Sequence, residues 1–182
     1  MKAAVLLANG VEEAESVTIV DFLRRAAILC TTFSVDEREI TGMQGIRFFA
    51  DEKLNDSIFD YDMLVVPGGR ESIVRFQTDP KVLEILQRFN EEGKWVCAMC
   101  SGTRMLEAGD VIQRGRVTGY TGYEEQLKSG VFTDRIVERD GNLITSQGPA
   151  TAYPFAFALI EAFGQDTTTL KERLMYSFAK GV

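Results

Sequence analysis

Trp95-Val96-Cys97-Ala98-Met99-Cys100-Ser101-Gly102-Thr103 is the stretch on which the fold turns. An apolar run ends at Cys100, Ser-Gly follows at once, and Arg104-Met105-Leu106-Glu107-Ala108 continues with a helical pattern. This predicts a strand, a sharp turn and a helix, with Cys100 on the turn. A tight strand-to-helix turn pushes its side chain out of the sheet. The helix behind it offers unpaired N–H groups and the positive end of its dipole, which favour a thiolate over a thiol. Gly102 lets the turn close without a Cβ clash. These residues alone fit both a reactive thiol and a small buried thiol at a strand end.

Working outward, Ala3 to Ala8 reads as a buried strand, short and apolar without alternation. The loop Asn9-Gly10-Val11-Glu12-Glu13-Ala14 follows, then a helix from about Glu15 to Ala26. Val17, Val20 and Leu23 repeat there at helical spacing, and Arg24 and Arg25 suit the dipole of the last turn. Leu29 to Val35 is the second strand and carries Cys30 as a packing residue, and Glu39 to Phe49 reads as two short strands around Gly42-Met43-Gln44-Gly45. Met63-Leu64-Val65-Val66 is a third buried strand ending in Pro67-Gly68-Gly69-Arg70. That turn is either a plain turn or a loop whose amides can approach a ligand or an oxyanion.

Asp79-Pro80 opens a helix with a cap and a proline at its first position, Val82, Ile85, Leu86 and Phe89 form its apolar face, and Gly93 ends it. Beyond the cysteine turn, Gly115 leads into a short strand, Gly119-Tyr120-Thr121-Gly122-Tyr123 is a turn, and Glu124 to Lys128 a short helix. Arg135 to Glu138 and Leu143 to Ser146 flank Asp140-Gly141, a hairpin signal. Gly148-Pro149-Ala150 opens a helix running to Gly164, and Thr167 to Phe178 is a last helix. Strands alternating with helices predict a mostly parallel sheet covered on both faces, in a single domain spanning residues 1–182.

The chain has 182 residues, 45% apolar and 26% charged, with a net charge of −7. No basic stripe points to nucleic acid, and no apolar run approaches the roughly 20 residues of a membrane span. Met1 to Gly10 reads as a strand rather than a signal peptide, which implies the cytoplasm. Three cysteines do not suggest a disulfide framework. The chain contains no histidine, which excludes Cys-His and Ser-His catalysis and histidine metal sites within it. No cofactor or metal is implied.

Three loops should meet at the carboxyl edge of one sheet: the acidic loop after the first strand, the Gly68-Gly69 turn and the Cys100 turn. Ligands bind at that edge in open α/β sheets. Acidic residues in a first helical turn also serve as dipole partners, and that reading covers most of Glu12, Glu13 and Glu15. A carboxylate beside a thiol raises the thiol pKa when ionised, and favours the thiolate when protonated and donating, so the pair titrates as a unit. Cys97-Ala98-Met99-Cys100 also spells a dithiol motif, but Cys97 falls within the strand, facing into packing.

Gly10-Val11-Glu12-Glu13-Ala14-Glu15, Val20-Asp21, Arg24-Arg25-Ala26, Pro67-Gly68-Gly69 and Ala98-Met99-Cys100-Ser101-Gly102, in this order, resemble the ThiJ/PfpI superfamily. They are nearest the branch of the parkinsonism-associated deglycase and the bacterial ThiJ-like proteins. Thr145-Ser146-Gln147-Gly148-Pro149-Ala150 resembles that branch as well. The resemblance implies a flavodoxin-like α/β sandwich, like that of class I glutamine amidotransferases, and a homodimer. It assigns Cys100 as the reactive cysteine, Glu15 as its carboxylate partner, and the backbone amides of Gly69 and Ser101, with Gly68 beside them, as the oxyanion site. Arg24 and Arg25 match a basic pair, one of which is expected near the dimer interface or the sulfur site.

Activities ascribed to the family are glyoxalase action on methylglyoxal without glutathione, deglycation of early glycated adducts, peroxide sensing through a cysteine sulfinate and, in the PfpI branch, peptidase action. The sequence departs from the pattern at two positions. Ser101 stands where the PfpI branch has histidine and where a small apolar residue is more usual; its hydroxyl could bond the thiolate, and a helix cap is the expected role. Tyr120 takes the place of the deglycase branch's histidine, and a phenol with pKa near 10 is a poor base at neutral pH. Peptidase activity is therefore not expected. The leading expectation is a cysteine-dependent enzyme acting on a small carbonyl substrate, an α-oxoaldehyde or a glycated adduct. The alternatives are a peroxide sensor oxidised at Cys100 and a homodimeric binding protein whose site has decayed.

Overall fold

The computed structural model describes residues 1–179; the last three residues of the 1–182 domain expectation lie outside the described residues. In chain order the first half holds β1 (Lys2–Leu7), α1 (Glu13–Arg25), β2 (Leu29–Ser34), β3 (Glu39–Thr41), β4 (Arg47–Phe49), β5 (Glu52–Lys53), β6 (Met63–Val66), α2 (Arg70–Gln77) and α3 (Pro80–Glu91). The second half holds β7 (Trp95–Met99), α4 (Arg104–Ala108), β8 (Arg116–Val117), β9 (Val131–Phe132), β10 (Val137–Asp140), β11 (Leu143–Ser146), α5 (Ala152–Ala162), α6 (Thr168–Arg173) and α7 (Tyr176–Ala179).

Seven strands form the central sheet in the order β10-β11-β7-β6-β1-β2-β5. Every neighbouring pair is parallel except β10 against β11. Alternation along the strands divides the core in two. Ala3, Val5, Leu7, Val65, Cys97 and Met99 pack under α1 and α5, while Ala4, Leu6, Leu64, Val66, Val96 and Ala98 pack against α2, α3 and α4. With both faces covered, the strands need apolar residues at every position, which is why they read as unbroken apolar runs. Truncating a fully buried residue such as Leu6 to Ala is expected to cost about 2–5 kcal/mol. This is the flavodoxin-like α/β sandwich that the motifs imply.

Local signals set the helix starts. Glu12 Oε1 accepts the Ala14 N–H at 3.3 Å to cap α1, and Asp79 Oδ1 accepts the Lys81 N–H at 3.0 Å to cap α3. The core face of α1 differs from the expected Val17-Val20-Leu23 stripe. Ile19, Phe22 and Leu23 are buried, whereas Val17 is 53% exposed, because α1 is apolar on two sides and only one meets the sheet and α5.

The sequence reading overlooked α2, although Ser72, Ile73 and Phe76 are buried at helical spacing. The expected last helix is split: Met175 adopts φ 54°, a left-handed conformation that ends α6 before α7 begins. Glu124 to Lys128 forms only a 3₁₀ turn, Glu124–Gln126. Among the described residues no helix is long and apolar enough to cross a membrane.

Candidate active site

Strands β7, β6 and β1 are direct neighbours in the sheet, so the loops leaving their carboxyl ends are adjacent. The chain leaves β1 to one side for β2 and returns on the other side as β6. This is the switch point where an open α/β sheet forms a crevice. The three loops singled out by the sequence therefore converge, and Cys100 lies among them.

Cys100 has φ 55°, left-handed backbone that a non-glycine residue adopts only when its surroundings enforce it, at a cost of about 1–3 kcal/mol. The enforcement is visible on both sides. Gly102 passes so close to β6 that a Cβ there would lie 2.3 Å from the Val66 carbonyl oxygen. Thr103 Oγ1 donates to the Cys100 carbonyl at 2.7 Å. Behind the cysteine runs a single 3₁₀ turn, Cys100–Thr103, followed by the short α4. The expected helical dipole is correspondingly small, because so few peptide units align.

Glu15 is fully buried in the first turn of α1. Its Oε2 accepts the Gly68 N–H at 2.7 Å, and its Oε1 has no hydrogen-bond partner among the described residues. The thiol is packed beside it: a Cβ on Gly68 would fall 2.7 Å from Glu15 Oε2 and 2.9 Å from Cys100 Sγ. Only glycine leaves room for carboxyl and sulfur to share that wall.

Burial pushes the Glu15 carboxyl up to about 7, with the Glu12 charge adding to it and the Gly68 N–H and the Cys100 thiol opposing it. Burial, and then the charge of an ionised Glu15, raise the Cys100 thiol, while the N–H and hydroxyl of Ser101 favour its ionised form. A protonated Glu15 changes from a repelling charge into a donor, so proton and thiolate are exchanged within one pair.

Ser101 does not cap the helix. The turn has no side-chain cap, and Ser101 Oγ reaches across to the turn after β6, accepting the Gly69 N–H at 2.9 Å. The Gly69 amide, expected as a free oxyanion donor, is thus already engaged. Only glycine fits there, since Gly69 has φ 123° and a Cβ would lie 2.3 Å from the Gly10 carbonyl oxygen.

Above the sulfur opens a pocket of about 220 Å³, bounded by Gly69, Cys100 and Ser101. Tyr120 stands in its wall, with its ring 5.7 Å from that of Tyr123. Arg24 and Arg25 do not reach it. They sit at the far end of α1, roughly 14 Å along the helix from Glu15 at about 1.5 Å per residue. There Arg24 binds the Cys30 carbonyl and Asp51, and Arg25 pairs with Asp21 at 2.7 Å.

Four pocket residues escaped the sequence reading: Met43, Arg70, Tyr123 and Pro149. Arg70, next to the Gly-Gly turn, and Pro149, within the Thr145–Ala150 motif, carried a signal. Met43 comes from the β3–β4 turn, which no local pattern places near Cys100. Cys97 is fully buried in β7 and burial drives its thiol well above the ordinary range, whereas Cys30 is pushed to about 12. Neither is disulfide-bonded. Among the described residues no group of three or more Cys, Asp or Glu is placed to hold a metal ion.

Known proteins resemble this chain in sequence and fold. The family described as the DJ-1/PfpI family matches residues 1–162. The Parkinson disease protein 7 homolog of Danio rerio is 32% identical over 168 residues, covering 88% of this chain and 88% of the relative. The protein named glutathione-independent glyoxalase DJ-1 in Schizosaccharomyces pombe is 27% identical over 173 residues, covering 88% of this chain and 90% of the relative. The crystal structure of Drosophila melanogaster DJ-1beta superposes with a TM-score of 0.91 at 29% identity, covering 96% of this chain and 98% of that one. The chain belongs to the DJ-1/PfpI family.

Proposed function

We propose that the protein is a cofactor-independent enzyme that converts small α-oxoaldehydes to hydroxy acids, with deglycation of early adducts as the related chemistry. One observation carries this reading: a carboxyl that burial pushes up to about 7, packed beside a half-buried cysteine in the wall of a small pocket. A group with that pKa both gives and takes protons at neutral pH.

In this reading the Cys100 thiolate attacks the aldehyde carbon of methylglyoxal, and the new oxyanion takes a proton to give a hemithioacetal. Glu15 removes the proton from that carbon to give an enediol and returns it to the neighbouring carbon, while the hydroxyl proton of the hemithioacetal passes to the former ketone oxygen, leaving a thioester of lactate. Water then hydrolyses the thioester and releases lactate and the free thiol. The net change adds one water, with no external oxidant. The relative named a glutathione-independent glyoxalase supports this assignment. Lactate formation from methylglyoxal by the wild type beside Cys100→Ala tests it; turnover that persists without the sulfur would sink it.

A second reading, peroxide sensing, draws on the unpartnered Glu15 Oε1. Peroxide oxidises the thiolate to sulfenate and then sulfinate. A protonated Glu15 would hydrogen-bond the product. Mass mapping after peroxide treatment would then find sulfinate at Cys100, with Cys30 and Cys97 untouched.

A homodimer accompanies either reading. Val17 at 53% and Phe49 at 70% exposure border an apolar hollow of about 260 Å³ between α1 and β4, a surface suited to a second copy. Sedimentation equilibrium that finds only monomer at micromolar concentration would exclude it.

A further inference from the structure

We infer that Arg70 selects the substrate, and that the substrate class is an α-oxoaldehyde carrying a carboxylate at the far end of a short chain. The inference rests on the proposed glyoxalase reading and adds a specificity residue to it. The pocket beside Cys100, at about 220 Å³, has room for about seven waters at roughly 30 Å³ each, more than methylglyoxal fills. Its wall is mixed: Met43 and Pro149 are apolar, Tyr120 and Tyr123 aromatic, and Arg70 cationic. Among the described residues the Arg70 guanidinium has no hydrogen bond and no ion pair.

An arginine without a counter-charge stands out in a chain with 27 acidic residues against 20 basic ones. Arg24, Arg75 and Arg88, for instance, each pair with a carboxylate. At the pocket the balance reverses. Arg104 lies with its guanidinium 5.6 Å from the centre of the Tyr123 ring, and it too has no carboxylate partner among the described residues. The acidic residue of the lining, Glu12, has its Oε1 engaged by the Ala14 N–H at 3.3 Å as the cap of α1. The aldehyde end of a substrate is committed to Cys100, so the Arg70 guanidinium meets the other end. A guanidinium binds a carboxylate through two parallel N–H donors. One guanidinium also balances one negative charge, which suits a carboxylate better than a phosphate dianion. Met43 and Pro149 offer apolar surface to the methylene groups between the two ends.

The probe is 4,5-dioxopentanoate, measured beside its methyl ester, which removes the charge and keeps the reacting end. The aldehyde carbon is oxidised to a carboxylate and the ketone carbon reduced to an alcohol within one molecule, so the acid and one water give 2-hydroxyglutarate. The quantity read is the ratio of kcat/KM for acid over ester, in which any general loss of activity cancels. In the intact wild type the ratio should be about ten at low salt and should shrink as salt is added. In Arg70→Gln it should fall to about one. Arg70→Lys keeps the charge but loses the fork, and its ratio should lie between the two. The lysine variant and the wild-type salt dependence carry the test if Arg70→Gln does not fold.

A wild-type ratio near one, or one indifferent to salt, overturns the proposal, because the pocket then does not sense the charge. A folded Arg70→Gln that keeps the wild-type ratio overturns it too, since another group would be reading the carboxylate. The two levels of the argument fail differently. If the wild type turns over neither methylglyoxal nor either probe, the glyoxalase reading fails and takes the substrate class with it. Turnover of methylglyoxal with an acid-to-ester ratio near one removes only the role of Arg70.

Discussion

Glu13 and Glu15 stand two residues apart in the first turn of α1, and both are buried. Each has one carboxylate oxygen bonded to backbone amides and the other without a partner. Their surroundings differ completely. Two residues along a helix is about 200° of rotation, so the side chains leave on opposite sides. Glu13 Oε1 accepts the Gln44 N–H at 2.8 Å and the Ile46 N–H at 3.2 Å, and so ties the β3–β4 turn to α1. Glu15 meets one amide and a thiol. Burial of an acidic residue therefore does not mark a reactive one; the neighbour does. Glu13 holds a loop that carries Met43 to the pocket, while Glu15 lies beside the sulfur and, in the reading proposed above, holds the proton there.

The sharpest way to break this contrast is turnover. Cys100→Ala and Glu15→Gln should each lower lactate formation by at least about 100-fold, the usual range for losing a nucleophile or a proton-transfer group, whereas Glu13→Gln should stay within about threefold. Equal losses for the two glutamates would erase the distinction.

Stability against pH tests Glu15 next. The folded-state pKa of Glu15 is raised from its ordinary 4.5 to about 7. The folded state therefore binds its proton more tightly, and that contribution is full below about pH 4.5 and lost as pH rises through about 7. Relative to Glu15→Gln, the wild type should lose on the order of 3 kcal/mol between pH 4.5 and pH 8 in urea unfolding. A constant difference across that window would show that Glu15 titrates normally.

A smaller effect belongs to the loop. Glu13→Ala strips two turn amides of their acceptor and should cost about 1–2 kcal/mol in the same unfolding experiment, with the Cys100 alkylation midpoint unmoved. A moved midpoint would mean that the two sides of the turn are coupled. The smallest change is expected from Tyr120→Phe. The ring stays in the pocket wall and only a weakly acidic hydroxyl is lost, so lactate formation should hold within about threefold. A large loss would make the phenol a participant.

Much of this was legible before any coordinates. The main strands, the Asp79-Pro80 helix start and the Asp140-Gly141 hairpin follow from local rules and agree with the fold, although the strand expected over Arg135 to Glu138 runs from Val137 to Asp140. The turn at Cys100 was legible for the same reason: an apolar run that stops at a cysteine followed by Ser-Gly has few other conformations. Spacing did not single out Glu15 from Glu12 and Glu13; the resemblance of its motif to a family did. The roles of Ser101 and Gly69 were read differently, the first as a helix cap and the second as a free amide. The bond between them joins residues 32 positions apart, and no local pattern encodes it. The α1 face was misjudged because Val17 and Val20 repeat at the same period as the residues that are buried.

What the sequence determined by itself is the alternation of strands and helices, the parallel sheet that must cover both faces, and the cysteine at a strand-to-helix turn. These depend on apolar periodicity, caps and turn residues, all interactions within a few positions of the chain. Only the tertiary structure decided which acidic residue meets the thiol, that Gly69 is engaged by Ser101, and that Met43 and Tyr123 wall the pocket. Those outcomes depend on β7, β6 and β1 lying side by side, and strand order is set by packing of the whole chain rather than by any stretch of it.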